Sequence, residues 1–121
     1  MKPNILFLSV DSLRADYFYS KNMGIKKPNI DKLLSKSLYF TQTISSSDST
    51  GNSIGSIFSG LYPCKSKINF YNFDSTVPLF TNILKNNGYS LLSVVPDLSF
   101  FTKLILNFDK NLSYVYDKRD S

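Results

Sequence analysis

The sequence of 121 residues predicts an α/β fold with a mostly parallel sheet flanked by helices, and three observations carry that reading. The run Ile5-Leu6-Phe7-Leu8-Ser9-Val10 is almost continuously apolar, which suits a strand covered on both faces, as in parallel sheets. A second apolar run occupies residues 89–95. Around these runs apolar residues recur at helical spacing and stop at glycine, so strands alternate with helices.

Taken in order, residues 5–10 form the first central strand and end on Asp11. Residues 13–19 are expected to make a short helical turn, broken by Ser20-Lys21-Asn22-Met23-Gly24. Pro28 then opens a helix, because its fixed φ suits the first helical position. Ile30, Leu33, Leu34 and Leu38 follow at i, i+3, i+4 and i+8, an amphipathic stripe. Residues 38–44 alternate like a strand. After a hydroxyl-rich stretch, residues 53–59 place Ile54, Ile57 and Phe58 at helical spacing and stop at Gly60, a C-cap. Residues 77–87 repeat the pattern with Leu79, Phe80, Ile83 and Leu84, halted by Asn87-Gly88 before the strand at 89–95. A helix over 100–108 and a last strand over 113–116 complete the expectation.

Composition bounds the function. With 42% apolar residues and eighteen Phe and Tyr, the chain can bury a core and is too hydrophobic to read as disordered. Fourteen Lys and Arg against nine Asp and Glu give a formal charge of +5, but the basic residues are scattered rather than striped. That pattern argues against nucleic acid as partner and suits a solvated surface or a small anionic ester. Cys64 is the single cysteine, so no intrachain disulfide forms and a reduced, cytoplasmic setting is expected. The N-terminus lacks the pattern of a signal peptide, and no apolar stretch reaches the roughly eighteen residues that span a bilayer. Membrane partners are therefore not expected.

Chemistry enters at two places. In open α/β sheets ligands sit beyond the carboxyl ends of strands, where Asp11 and Ser12 fall, so Asp11 is a candidate metal ligand. Ser49-Thr50-Gly51-Asn52-Ser53 leads into a helix whose N-terminal amides suit an anion, and Thr50 is the candidate nucleophile. A threonine hydroxyl attacks poorly unless a metal or base strips its proton, so Asp11 and Thr50 make chemical sense as a pair sharing a cation. Plain alternatives stand beside both. Thr50 or Ser53 serves equally as a helix cap, and Arg14, flanked by Asp11 and Asp16, offers an ion pair. Cys64, with no histidine in the chain to activate it, reads as structural.

Four segments in order resemble the N-terminal part of sulfatases, within the alkaline phosphatase superfamily. They are the opening from Pro3 to Asp16, Lys27-Pro28-Asn29-Ile30-Asp31-Lys32-Leu33, Phe40-Thr41-Gln42-Thr43, and Ser56-Ile57-Phe58-Ser59-Gly60-Leu61-Tyr62-Pro63. The resemblance covers roughly residues 2–95, with 108–117 similar to a later segment. It implies that residues 1–121 are an N-terminal fragment of a sulfatase-like α/β domain that cleaves sulfate esters with a divalent metal. Asp11 matches the metal-binding aspartate. Thr50, ten positions before Gly60, matches the nucleophile and metal ligand, with Ser49 and Ser53 as fallbacks.

The departures from the family pattern are specific. Ser12 stands where many sulfatases carry a second aspartate, which bears on their calcium site. Asn52 and Ile54 stand where proline and arginine are expected, and the later lysine and histidine are absent near 95–99. Threonine does not yield the formylglycine aldehyde. Thr50 instead resembles the superfamily's phosphodiesterases and phosphotransferases, which implies Mn²⁺ or Zn²⁺ in place of Ca²⁺. The remaining ligands are expected from a missing C-terminal half or a partner chain, so the chain alone is expected to have little activity and to self-associate. A non-catalytic α/β remnant is the competing reading.

Overall fold

The computed structural model describes residues 2–16 and 26–115, and its contacts divide into two compact units, Met1–Gln42 and Thr43–Ser121.

In the first unit, residues 5–10 join no strand ladder, which corrects the expected central strand. Their side chains are largely exposed, Leu6 at 87% and Leu8 at 76%. Apolar, β-branched composition gives a segment strand propensity, but a strand exists only where another segment pairs its backbone. The strand expected over 38–44 also fails to form: its backbone bends at 41–42, and Leu38, Phe40 and Ile44 are exposed. Asp11 and Ser12 form a turn, with Ser12 at φ 55° in the left-handed region. Helix α1, Pro28–Leu34, forms where Pro28 predicts it. Its first turn is held by Asp31 N–H to Lys27 O at 2.9 Å and by the Lys27 Nζ to Asp31 Oδ1 ion pair at 2.8 Å. It buries none of its residues, and Leu38 lies beyond its end. The helical turn expected over 13–19 falls mostly outside the described residues, of which 15–16 are helical.

The second unit carries the core. Helix α2, Thr50–Ser59, ends at Gly60, whose φ of 69° is left-handed and whose N–H returns to Ser56 O at 2.8 Å. A one-turn helix α3, Pro63–Ser66, follows, with Pro63 in its first turn. Helix α4, Phe80–Asn86, starts three residues later than the apolar spacing predicts. Val77 precedes Pro78 and is thereby pushed out of helical geometry, and Leu79 stays extended as the N-cap. The end falls where Asn87-Gly88 predicts it: Gly88 at φ 76° donates to Lys85 O and Tyr89 donates to Leu84 O, the two bonds of a Schellman cap.

Strand β1, Leu92–Pro96, helix α5, Ser99–Leu104, and strand β2, Lys110–Tyr114, make one βαβ unit. The strands pair in parallel with Leu92 opposite Lys110 and Pro96 opposite Tyr114, so the expected parallel pairing is present, in a two-stranded sheet. The crossover supplies the dozen or so residues that parallel pairing requires. Helix α5 is shorter than the expected 100–108, and β2 begins three residues before the expected 113. Asp109 fixes the start of both strands, accepting Leu91 N–H at 2.8 Å and pairing with Lys85 Nζ at 3.0 Å.

Beneath the sheet, Phe58, Ile68, Leu79, Phe100, Leu104 and Ile105 form the buried cluster. Phe100 is 1% exposed and packs edge-tilted on Phe70 (centroids 4.8 Å) and Phe101 (5.4 Å). Such pairs add to area burial through their quadrupoles. The opposite sheet face is open: Val94 is 69% exposed and its register partner Leu112 is also exposed.

Candidate functional site at the start of helix α2

The approach to α2 is built from hydroxyls that bond to one another. Ser47 is the hub: its carbonyl accepts from Ser45 Oγ (2.6 Å) and Ser53 Oγ (2.8 Å), and Ser45 and Ser53 hydroxyls lie 3.1 Å apart. Its own Oγ accepts from the Ser49 N–H at 3.2 Å and from Asn52 Nδ2 at 3.4 Å. Short polar side chains bonding to nearby backbone are what serine runs do well outside helices. The knot ties the incoming chain to the first turn of the helix.

Ser49, with φ −100° and ψ 133°, is the N-cap, and its side chain makes no capping bond. Thr50 is the first helical residue, it is exposed, and its Oγ1 takes part in no hydrogen bond among the described residues. Neither Thr50 nor Ser53 therefore caps the helix. Of the three hydroxyls considered for the nucleophile, Ser53 is committed to the knot, whereas Thr50 projects from the turn unengaged.

The amides sort in the same way. Ser53 N–H already donates to Ser49 O at 2.9 Å, so among the Gly51, Asn52 and Ser53 amides only the first two precede the helical ladder and remain for an anion. Gly51 is buried, and a Cβ there would meet Phe70 Cδ2 and Phe70 N, each at 2.8 Å. Gly55, one turn on, would meet Ile68 Cγ2 and Ile68 O at the same distance. The two glycines form a groove along α2 into which the 68–70 backbone is pressed. Their i, i+4 spacing is a signal in the sequence that the reading above did not use. The hub role of Ser47 had no comparable signal, because it depends on how the turn closes.

Asp11 belongs to the other unit, in the turn at 11–12, and is exposed. The ion pair foreseen for Arg14 forms with Asp16 rather than Asp11, in bidentate geometry at 3.0 and 2.6 Å. Cys64 lies exposed in α3, outside the core.

A Sulfatase family model matches residues 3–118, nearly the whole chain. The chain belongs to the sulfatase family. Neither the curated proteins nor the solved structures hold a match to it. At the family level this sulfatase domain is a sulfatase-like hydrolase, and its small α/β architecture with a parallel strand pair is consistent with such a fold. Family members generally use a divalent metal such as Ca²⁺. In this sulfatase chain the Asp11 carboxylate and Thr50 hydroxyl are hard oxygen donors of the right kind, but fewer than the about six to eight ligands Ca²⁺ takes. Among the described residues no three His, Cys, Asp or Glu side chains gather into a metal cluster. No described helix is long and apolar enough to cross a membrane.

Proposed function

We propose that the chain supplies the nucleophile end of a metal-dependent sulfatase site, with Thr50 attacking a small anionic sulfate ester and Asp11 binding the cation. A bound divalent ion would lower the proton affinity of the threonine hydroxyl and offset charge on the ester. The further ligands come from outside these residues, from a C-terminal portion or a partner chain. On that account the 121 residues alone carry out the first transfer to Thr50 but complete turnovers slowly or not at all.

The observation that carries the reading is the unengaged Thr50 hydroxyl on the first turn of a ten-residue helix. Thr50 Oγ1 forms a bond to sulfur as the ester S–O bond breaks. The departing alcohol leaves with the electron pair and takes up a proton equivalent to the one lost by threonine. Gly51 and Asn52 amides lie at the positive end of the helix, where backbone donors stabilise developing charge on the ester oxygens. The knot about Ser47 holds the turn in place for both.

A second reading is favoured by the threonine itself, which does not support formylglycine chemistry: phosphodiester cleavage or phosphoryl transfer with Mn²⁺ or Zn²⁺. Nucleic acid and membrane have no part in either reading, and the exposed Cys64 thiol suits a reducing, cytoplasmic setting. Incubating the chain and each metal with 4-nitrophenyl sulfate or bis(4-nitrophenyl) phosphate, followed by peptide mass mapping, separates the readings. A sulfo adduct on Thr50, absent in Thr50→Ala, supports the first and a phosphoryl adduct the second. A folded chain with unmodified Thr50 under every condition contradicts both and leaves a non-catalytic α/β remnant.

A further inference from the structure

The ladder between β1 and β2 shows which edge of the sheet can take another strand. Lys110 N–H donates to Leu91 O at 3.3 Å and Asp97 N–H donates to Tyr114 O at 2.9 Å, so Lys110 and Tyr114 turn their backbone groups toward β1. Backbone groups alternate in direction along a parallel ladder, and Asn111 and Ser113 therefore present N–H and C=O at the outer edge of β2. By the same alternation the outer edge of β1 falls to Leu92, Val94 and Pro96, and Pro96 has no N–H to give. Among the described residues no third strand joins the sheet, and β2 is exposed along its whole length. Edges are commonly blunted by proline or by charge; β2 has Leu112 at its centre and its one charge, Lys110, at its end.

We infer that the outer edge of β2 pairs with β2 of a second copy of this chain, antiparallel about a twofold axis at Leu112. The strand is self-complementary in that register. Asn111 and Ser113 of one copy exchange backbone bonds with Ser113 and Asn111 of the other, which satisfies every outward N–H and C=O of both. Leu112 meets its own copy in the non-hydrogen-bonded pair, where side chains come closest, and joins the apolar stripe it shares with Val94; the two are 54% and 69% exposed. Lys110 falls opposite the Tyr114 ring of the second copy, a cation facing an aromatic. A parallel, in-register alignment would instead set Lys110 against Lys110. The strand is 5 residues long, too short to bury the about 800 Å² per partner of a stable interface, so the pairing is weak and depends on concentration.

Sedimentation velocity of the chain from about 10 µM to about 1 mM, the range of a weak interface, tests this. A monomer–dimer equilibrium is expected, lost in Ser113→Pro, which removes an outward N–H and leaves the ladder to β1 in place. In a Cys64→Ser background, Leu112→Cys is expected to oxidise to a disulfide-linked dimer roughly ten-fold faster than Val94→Cys, because only position 112 comes within disulfide reach of its copy. A chain that stays monomeric at every concentration overturns the inference and leaves the edge to a C-terminal portion. A dimer that survives in folded Ser113→Pro, or that cross-links equally at 94 and 112, places the contact elsewhere and overturns it as well. Should Ser113→Pro fail to fold by circular dichroism, the cysteine comparison decides alone.

Discussion

Replacing Gly55 by alanine places a methyl group 2.8 Å from both the Ile68 carbonyl oxygen and Ile68 Cγ2, where ordinary van der Waals contact begins at 3.4 Å. In an open helix the same change stabilises by about 1 kcal/mol, because alanine loses less backbone freedom than glycine. Here one obstructing atom is backbone, so the 68–70 segment must retreat from α2 rather than a side chain rotate. Ile68 is fully buried, and its displacement disturbs the cluster with Phe58, Leu79 and Phe100. Overpacking of this kind costs about 1–3 kcal/mol. Set against the propensity gain, the net effect is a destabilisation of up to about 2 kcal/mol, or several degrees in Tm for a unit of this size. Urea denaturation followed by circular dichroism measures it, with Ile57→Ala on the exposed side of the same helix as a control for effects of the helix alone. A Gly55→Ala chain more stable than wild type would refute the close approach of the 68–70 segment and, with it, the groove along α2.

Three further outcomes follow from the geometry. Ser53→Ala, which deletes a hydroxyl bonded to Ser47 O, should cost about 0.5–1.5 kcal/mol in denaturant titration. Thr50→Ala, exposed and unbonded, should fall within about ±0.5 kcal/mol, and the reverse order would contradict the division of roles between the two hydroxyls. The Leu91 amide, and then Lys85, hold the Asp109 carboxyl below its ordinary value of 3.8. A depressed folded-state pKa contributes stability that is present above the unfolded value and lost as pH falls through the folded one. The urea midpoint should therefore fall as pH drops below about 4, and Asp109→Asn should flatten that dependence while lowering the midpoint at neutral pH. An unchanged acid limb in the variant would show that the Asp109 contacts to Leu91 and Lys85 do not form in solution.

The sequence announces local structure where a single residue controls it. Gly60 and Gly88 stop helices because each takes a positive φ that L side chains resist, and Pro28 opens one because its ring presets the backbone. The βαβ unit was legible for the same reason, since a helical stretch between two apolar runs leaves parallel pairing as the short solution. The N-terminal run misled because Ile5, Leu6 and Leu8 describe a segment that wants cover, while a strand depends on a second segment elsewhere. At Val77 the apolar spacing was right and Pro78 overrode it. Thr50 was singled out by its distance from Gly60, and the structure gives it a helical position that the spacing left open. The Ser47 knot and the Phe70 ring were beyond reach of the sequence, because each arises from residues meeting across a turn. Asp11 shares neither the turn nor the unit of Thr50, so the pairing of the two rests on chemistry and family membership.

That pairing is best tested by isothermal titration of the purified chain with Ca²⁺, Mn²⁺ and Zn²⁺, beside Asp11→Ala and Thr50→Ala. The account predicts saturable, weak binding of at least one of these ions to the wild-type chain, abolished by either substitution while circular dichroism shows the fold intact. Absence of binding, or binding that survives both substitutions, would contradict a cation shared by Asp11 and Thr50.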